Sequence, residues 1–260
     1  VVDLLLSLPG PVSGLVVVAL AVAATLGWVA VLRRRLRSDP ARGDGDVPGH
    51  FFEVLGGVYG IVLAFVLVAV WEDFGRAETR VEQETTQLGT MFRDARALPE
   101  PSRRGVHDAL LGYVRSVVDD EWPAMAHGEG SPRTLAAYDR LWSAYYSLDP
   151  GDGRTAVFYQ QSVDRLAQVG ENRRGRILAS RSAVPPVMWL LLLAGGVVVA
   201  GLACASVAEP AAHRAPLAAF AGVLAGVMFL TFALDRPFGA GITLSRRPLV
   251  ELAAQWATPT

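Results

Sequence analysis

The sequence predicts an all-α integral membrane protein: four transmembrane helices in two hairpins that flank a helical, water-soluble domain. Hydrophobic residues make up 52% of the 260 residues, above the roughly 45–50% usual for a soluble domain. The excess is gathered into four charge-free windows, 12–32, 54–71, 184–208 and 215–234. Each is close to the roughly 20 residues that a helix needs to cross about 30 Å of hydrocarbon at 1.5 Å per residue. The alternating ten-residue segments of a closed β-barrel, the other backbone solution in lipid, are absent. The expected organisation is a first hairpin over 1–71, a soluble domain over 72–183, a second hairpin over 184–234 and a C-terminal tail over 235–260.

The first window reads as a retained anchor, because its arginines follow the apolar run where a secretory signal would place them before it. A turn-rich connection follows, with Asp39-Pro40, Gly43, Gly45 and Pro48-Gly49. The second span runs without a breaker into 72–98, where Val81, Leu88, Phe92 and Ala95 keep helical spacing among charges. One long helix is therefore expected to leave the membrane and continue into water. Pro99 and Pro101 stop it, and Ser102 is placed to cap a helix with Val106, Leu110, Tyr113 or Val114, and Val117 inward. Ser131-Pro132 opens the next, with Leu135, Tyr138, Leu141, Trp142 and Tyr145 inward, and the stretch from Asp149 to Gly153 ends it. A further helix carries Val157, Phe158, Leu166, Val169 and Ile177, and Pro185-Pro186 breaks the chain at the membrane surface.

The arginines set the orientation, and they divide. Arg33, Arg34, Arg35, Arg37 and Arg42 after the first span would place that loop in the cytoplasm. Arg76 and Arg80, Arg173, Arg174, Arg176 and Arg181, and Arg236, Arg246 and Arg247 argue for the other side, and the 209–214 region of the loop between the last two spans carries little positive charge. The larger group places both termini and the soluble domain in the cytoplasm, with the inverse topology left open.

Residues suited to chemistry are sparse. His50, His107, His127 and His213 are scattered, so no two share a helix face as metal ligands would, and Cys204 is the sole cysteine. Asp119-Asp120-Glu121 reads as a solvated helix end, since adjacent helical residues point apart. No phosphate-binding loop, nucleophile elbow or zinc pair occurs, so no catalytic residue, metal site or cofactor is assigned and an enzyme is not expected. A net charge of -1 argues against nucleic acid as a partner. Gly56/Gly60 and Gly222/Gly226 are small-residue steps that read as helix packing. Gly57, Ile61 and Phe65 recur every four residues on the second span; they are either ordinary packing or lipid-facing residues or, around a shared axis, rings of an apolar constriction.

Two stretches resemble a known family. Val58-Tyr59-Gly60-Ile61-Val62-Leu63-Ala64-Phe65-Val66, leading to Trp71, is similar to the pore-lining helix of bestrophins, where a related run forms an apolar neck. Leu234-Asp235-Arg236-Pro237-Phe238-Gly239 after the fourth span resembles the bestrophin N-P-F-G segment, and the order of spans and soluble domain agrees. Together with Glu121-Trp122-Pro123, these stretches make the chain most similar to the bacterial bestrophin-like family. The resemblance implies a multi-pass protein of a bacterial plasma membrane, a homopentamer in the lipid bilayer that conducts ions, small anions among them, with Ile61, Phe65 and Gly57 at the neck. Where bestrophins continue Pro-Phe-Gly into an acidic calcium clasp, this chain has Ala240, Gly241, Ile242, Thr243 and Leu244, so calcium gating is not carried over. The alternative is a non-conducting membrane scaffold or sensor whose soluble domain binds a partner.

Overall fold

The uninterrupted helical pattern from the second span into the charged region folds as a single 48-residue helix, Val47–Asp94. At 1.5 Å per residue it is about 72 Å long, more than twice the hydrocarbon thickness. It starts earlier than the sequence suggests: Pro48 and Gly49, read as a turn, lie in its first turn, where a missing proline N–H removes no helical hydrogen bond.

The computed structural model describes residues 10–36, 47–149, 153–181, 183–206, 214–239 and 242–257, and every regular element among them is helical. The helices are α1 (Gly10–Leu36), α2 (Val47–Asp94), α3 (Ser102–Ser116), α4 (Trp122–Met125), α5 (Pro132–Tyr146), α6 (Gly153–Ala179), α7 (Pro186–Ala205), α8 (Arg214–Leu234) and α9 (Arg247–Ala257). A 3-10 turn, Ala95–Ala97, closes α2, and a π-helical turn, Val117–Glu121, links α3 to α4. Asp39-Pro40, Arg37, Arg42, Gly43, Gly45, Glu209, His213, Ala240 and Gly241 lie outside the described residues. The chain divides into two units, one from Val1–Glu72 with Ala183–Asp235 and one from Asp73–Ser182 with Arg236–Thr260.

Three helices among the described residues are long and apolar enough to cross a membrane: Gly49–Ala97, Pro186–Ala205 and Ala215–Leu234. The apolar stretch of α1, Val12–Trp28, is shorter than these, so three of the four expected spans meet that measure. Helix α1 packs along α8. A methyl at Gly222 would lie 3.6 Å from Val22, one at Gly226 would lie 3.8 Å from Val18, and one at Gly14 would collide with the Phe229 ring at 2.7 Å. The Gly222/Gly226 step is thus a close helix crossing. Gly56 approaches Val199 of α7, whereas Gly60 has nothing within 4 Å and takes no part in such a step.

The second unit is built on an apolar core of Leu88, Met91, Val106, Leu110, Tyr113, Val114, Val117, Leu141, Tyr145, Leu166, Val169 and Leu249. The inward stripe expected for α3 is buried throughout. Ser102 is its first residue, and no side chain caps this helix. Ser131 does cap α5, accepting the Thr134 N–H at 3.4 Å ahead of Pro132 at the first helical position. Leu135 faces out, because the buried stripe of α5 is Thr134, Ala137, Leu141 and Tyr145, one residue and about 100° around the helix. Val157 is exposed as well, since α6 turns inward only from Ser162 and Leu166. The C-terminal α9 lays Leu249, Leu252, Ala253 and Trp256 onto this core. The Trp256 ring stacks 4.3 Å from Phe92, whose other side stacks 3.9 Å from His107. Burial lowers the His107 pKa and Arg103 and Arg96 add to this, against the opposing Phe92 carbonyl.

Candidate functional site

Helix α2 has two unlike faces within its apolar span. Phe52, Gly56, Tyr59, Leu63, Val66 and Val70 turn toward the rest of the first unit, with Leu63 and Val70 buried. On the other side Ile61 is 60% exposed and Phe65 72%, and Gly57 has nothing within 4 Å. Only 11% of this span is buried within the chain, against 28% for each of the other two. An apolar face so poorly covered by its own chain meets lipid or another copy. The three residues singled out by spacing, Gly57, Ile61 and Phe65, therefore share the uncovered face.

The segment after α8 holds the chain at a boundary. Asp235 is almost fully buried, and its Oδ1 accepts the N–H groups of Ala183 at 2.8 Å and Val184 at 2.9 Å. Its Oδ2 accepts from Trp189 Nε1 at 3.4 Å. Pro185 and Pro186 have no N–H, so the donors that precede α7 are gathered by this one carboxylate, which also suits the positive end of the helix. Asp235→Ala would leave two backbone donors without that acceptor, and we expect a loss of about 1–3 kcal/mol in detergent unfolding. Asp235→Asn should lose less, because its oxygen keeps both backbone bonds while its amide opposes the indole N–H.

Arg236 begins the second unit and is exposed. Its carbonyl accepts from Gly239 N at 3.0 Å, and the Pro237 carbonyl accepts from Leu244 N at 2.8 Å, which folds the segment back on itself. Phe238 is carried into a cluster with Ala77, Val81, Met125 and Leu244, edge-on to Trp122 at 5.2 Å. Pro237 is buried with it. Leu244, in the stretch where a calcium clasp would need oxygen ligands, is part of this apolar cluster.

A buried ionic cluster, not anticipated from the sequence, lies in the second unit. Glu84, Glu121 and Arg176 are fully buried and Arg173 nearly so. Arg176 donates Nε to Glu84 Oε2 at 2.8 Å, and Nη2 to Glu84 Oε1 at 3.2 Å and to Glu121 Oε2 at 3.0 Å. Arg173 pairs with both Glu121 oxygens, one of them from Nε at 3.2 Å. The Tyr113 hydroxyl donates to Glu84 at 2.6 Å, and the Ser131 N–H reaches Glu121 at 3.3 Å. Two carboxylates and two guanidiniums balance in charge, and each buried charge has several hydrogen bonds. Burial alone lowers the Arg176 pKa, but Glu84, Tyr113 and Glu121 raise it above the usual guanidinium value. Burial first, then Glu84, raise Tyr113 well above the phenol range.

This overturns one sequence reading. Glu121 is not a solvated helix end: the π turn Val117–Glu121 inserts its side chain into the core, while Asp119 stays exposed. Arg173 and Arg176, which the sequence offered only as markers of orientation, are committed to carboxylates in the interior. Among the described residues no group of three or more His, Cys, Asp or Glu is placed to hold a metal ion.

A sequence profile of the Bestrophin-like domain matches residues 19–249, nearly the whole chain. The chain belongs to the bestrophin-like family. A crystal structure of a point mutant of a bacterial bestrophin homolog from Klebsiella pneumoniae superposes with a TM-score of 0.74 at 16% identity, covering 93% of this chain and 97% of that one. A second point mutant of a Klebsiella pneumoniae bestrophin homolog gives a TM-score of 0.67 at 16% identity over 93% and 99% of the two chains. At this identity the likeness is one of fold. No curated protein sequence matches the chain.

Within this bestrophin-like fold, the residues singled out by spacing lie on the uncovered face of α2, and the stretch singled out after the fourth span forms a turn. The sequence reading missed Tyr59 with its partners on α7, and the ionic cluster. A signal for the cluster was present: Val81, Glu84, Leu88 and Met91 share one helical phase, as do Leu166, Val169, Arg173 and Arg176, so each stripe carries its charge at an interior position.

Proposed function

We propose that the chain is one subunit of a bestrophin-type homopentameric channel for small anions in a bacterial plasma membrane. α1, α2, α7 and α8 are its four spans, and the soluble unit and both termini are cytoplasmic. The observation that carries this reading is the uncovered apolar face of α2 in a chain of the bestrophin-like family. Several copies around an axis would bring that face together, with Ile61 and Phe65 as successive apolar rings one helical turn apart and Gly57 as a wider level beside them. Such a neck excludes water by its apolar lining and needs no metal or cofactor.

Native mass spectrometry of the detergent-purified protein tests the reading first, followed by chloride flux from proteoliposomes. A pentamer that passes chloride is the expected result. A monomer or dimer removes the channel and leaves a membrane scaffold or sensor. For orientation, an impermeant thiol reagent should label Gly45→Cys from outside the intact cell and Pro150→Cys only after the cytoplasmic side is opened; the reverse pattern inverts the topology.

A further inference from the structure

Which side chains α2 exposes, Ile61 and Phe65 among them, depends on how the helix is rotated. Tyr59 projects from the opposite side of α2 into a socket on α7 made by two consecutive glycines. A methyl at Gly195 would lie 2.8 Å from the Tyr59 ring, and one at Gly196 would lie 3.1 Å from its hydroxyl. A Cβ at Gly195 would displace the ring, and one at Gly196 would press on the hydroxyl by a few tenths of an ångström. At the bottom of the socket the Tyr59 hydroxyl donates to the Leu192 carbonyl at 2.9 Å, with Met228 Sδ of α8 at 3.5 Å. A polar hydroxyl within an apolar span has few alternative partners, so the bond is directional as well as attractive.

We propose that Tyr59 is a positioning residue that pins the rotation of α2. At about 100° per residue, Ile61 and Gly57 lie about 160° from Tyr59 around the helix and Phe65 about 120°. With the ring seated, all three face away from α7 and α8. With the ring displaced, α2 is free to turn, and a rotation of one residue would carry Phe65 toward the side of the helix that Leu63 now fills. The pin stands on the geometry of one subunit, and its consequence for conduction rests on the channel reading above.

A crosslink reports the rotation independently of current. A Cβ built at Gly56 lies 3.8 Å from Val199 Cγ1, so Gly56→Cys with Val199→Cys, in a Cys204→Ala background, joins α2 to α7 when Tyr59 is seated. In native membranes treated with a permeant oxidant, Gly195→Ala should slow this crosslink several-fold. Tyr59→Phe keeps the ring and loses the hydroxyl bond, so it should slow the crosslink less; it also serves if Gly195→Ala does not accumulate. Channel current measured on the same two variants without the added cysteines should change in the same order. An unchanged crosslinking rate in both variants overturns the pin, whatever the current does. Absence of current in the unsubstituted protein removes the channel reading and leaves the crosslinking result to stand.

Discussion

Arg176→Met is expected to destabilise the protein by about 3–5 kcal/mol, the cost of removing one partner from a buried ionic cluster. The substitution keeps much of the side-chain volume, so the loss is electrostatic. Glu84 and Glu121 would face each other's charge in the interior, with Arg173 alone to neutralise them. Arg176→Lys preserves the charge and loses the fork that reaches both carboxylates, so it should recover part of the stability. Tyr113→Phe removes one hydrogen bond to a charged group and should cost about 1.5–3 kcal/mol. Replacing Glu84 by Leu together with Arg176 by Met should be milder than Arg176→Met alone, because no carboxylate then lacks its guanidinium at that position. Thermal unfolding of the intact, detergent-solubilised protein at fixed pH measures all four. A melting temperature for Arg176→Met within a degree of the unsubstituted protein would show that water reaches the cluster.

These residues also mark where the sequence was legible. Three of the four expected spans were legible from the absence of charge over lengths set by the bilayer, and the long α2 from the absence of a breaker. Inward positions of α3 followed from spacing alone. Glu121 did not, because a π turn adds a residue to the helical repeat and moves the side chain from the face that spacing assigns. Glu84, Arg173 and Arg176 sat in phase with apolar stripes, but a charge in an apolar phase identifies a buried ion only when its partner is known, and the partners are 55 and 92 residues apart along the chain for Arg176. The socket for Tyr59 is hidden for the same reason: Gly195-Gly196 reads as two small residues among many until the ring from another helix is placed over them.

The uncovered face of α2 was visible as a repeat, while its use depends on what lies opposite. Phe65→Ala is therefore expected to raise single-channel current several-fold without changing the subunit count. The ring is the most exposed apolar side chain of its face, and in a shared axis its removal replaces a constriction that water avoids by one wide enough to stay wet. Ile61→Ala, one turn away, should act in the same direction, and both together should exceed either alone if the two levels form one continuous barrier. Leu63→Ala is the contrasting change. Leu63 is buried against its own chain, so its truncation should lower stability by about 2–5 kcal/mol and leave the current per intact channel nearly unchanged. A raised current from Phe65→Ala with none from Leu63→Ala would fix the pore on the face that the bestrophin resemblance implies. Equal effects would mean that the current follows loosened packing, and an unchanged current in an otherwise active Phe65→Ala channel would take the ring out of the neck.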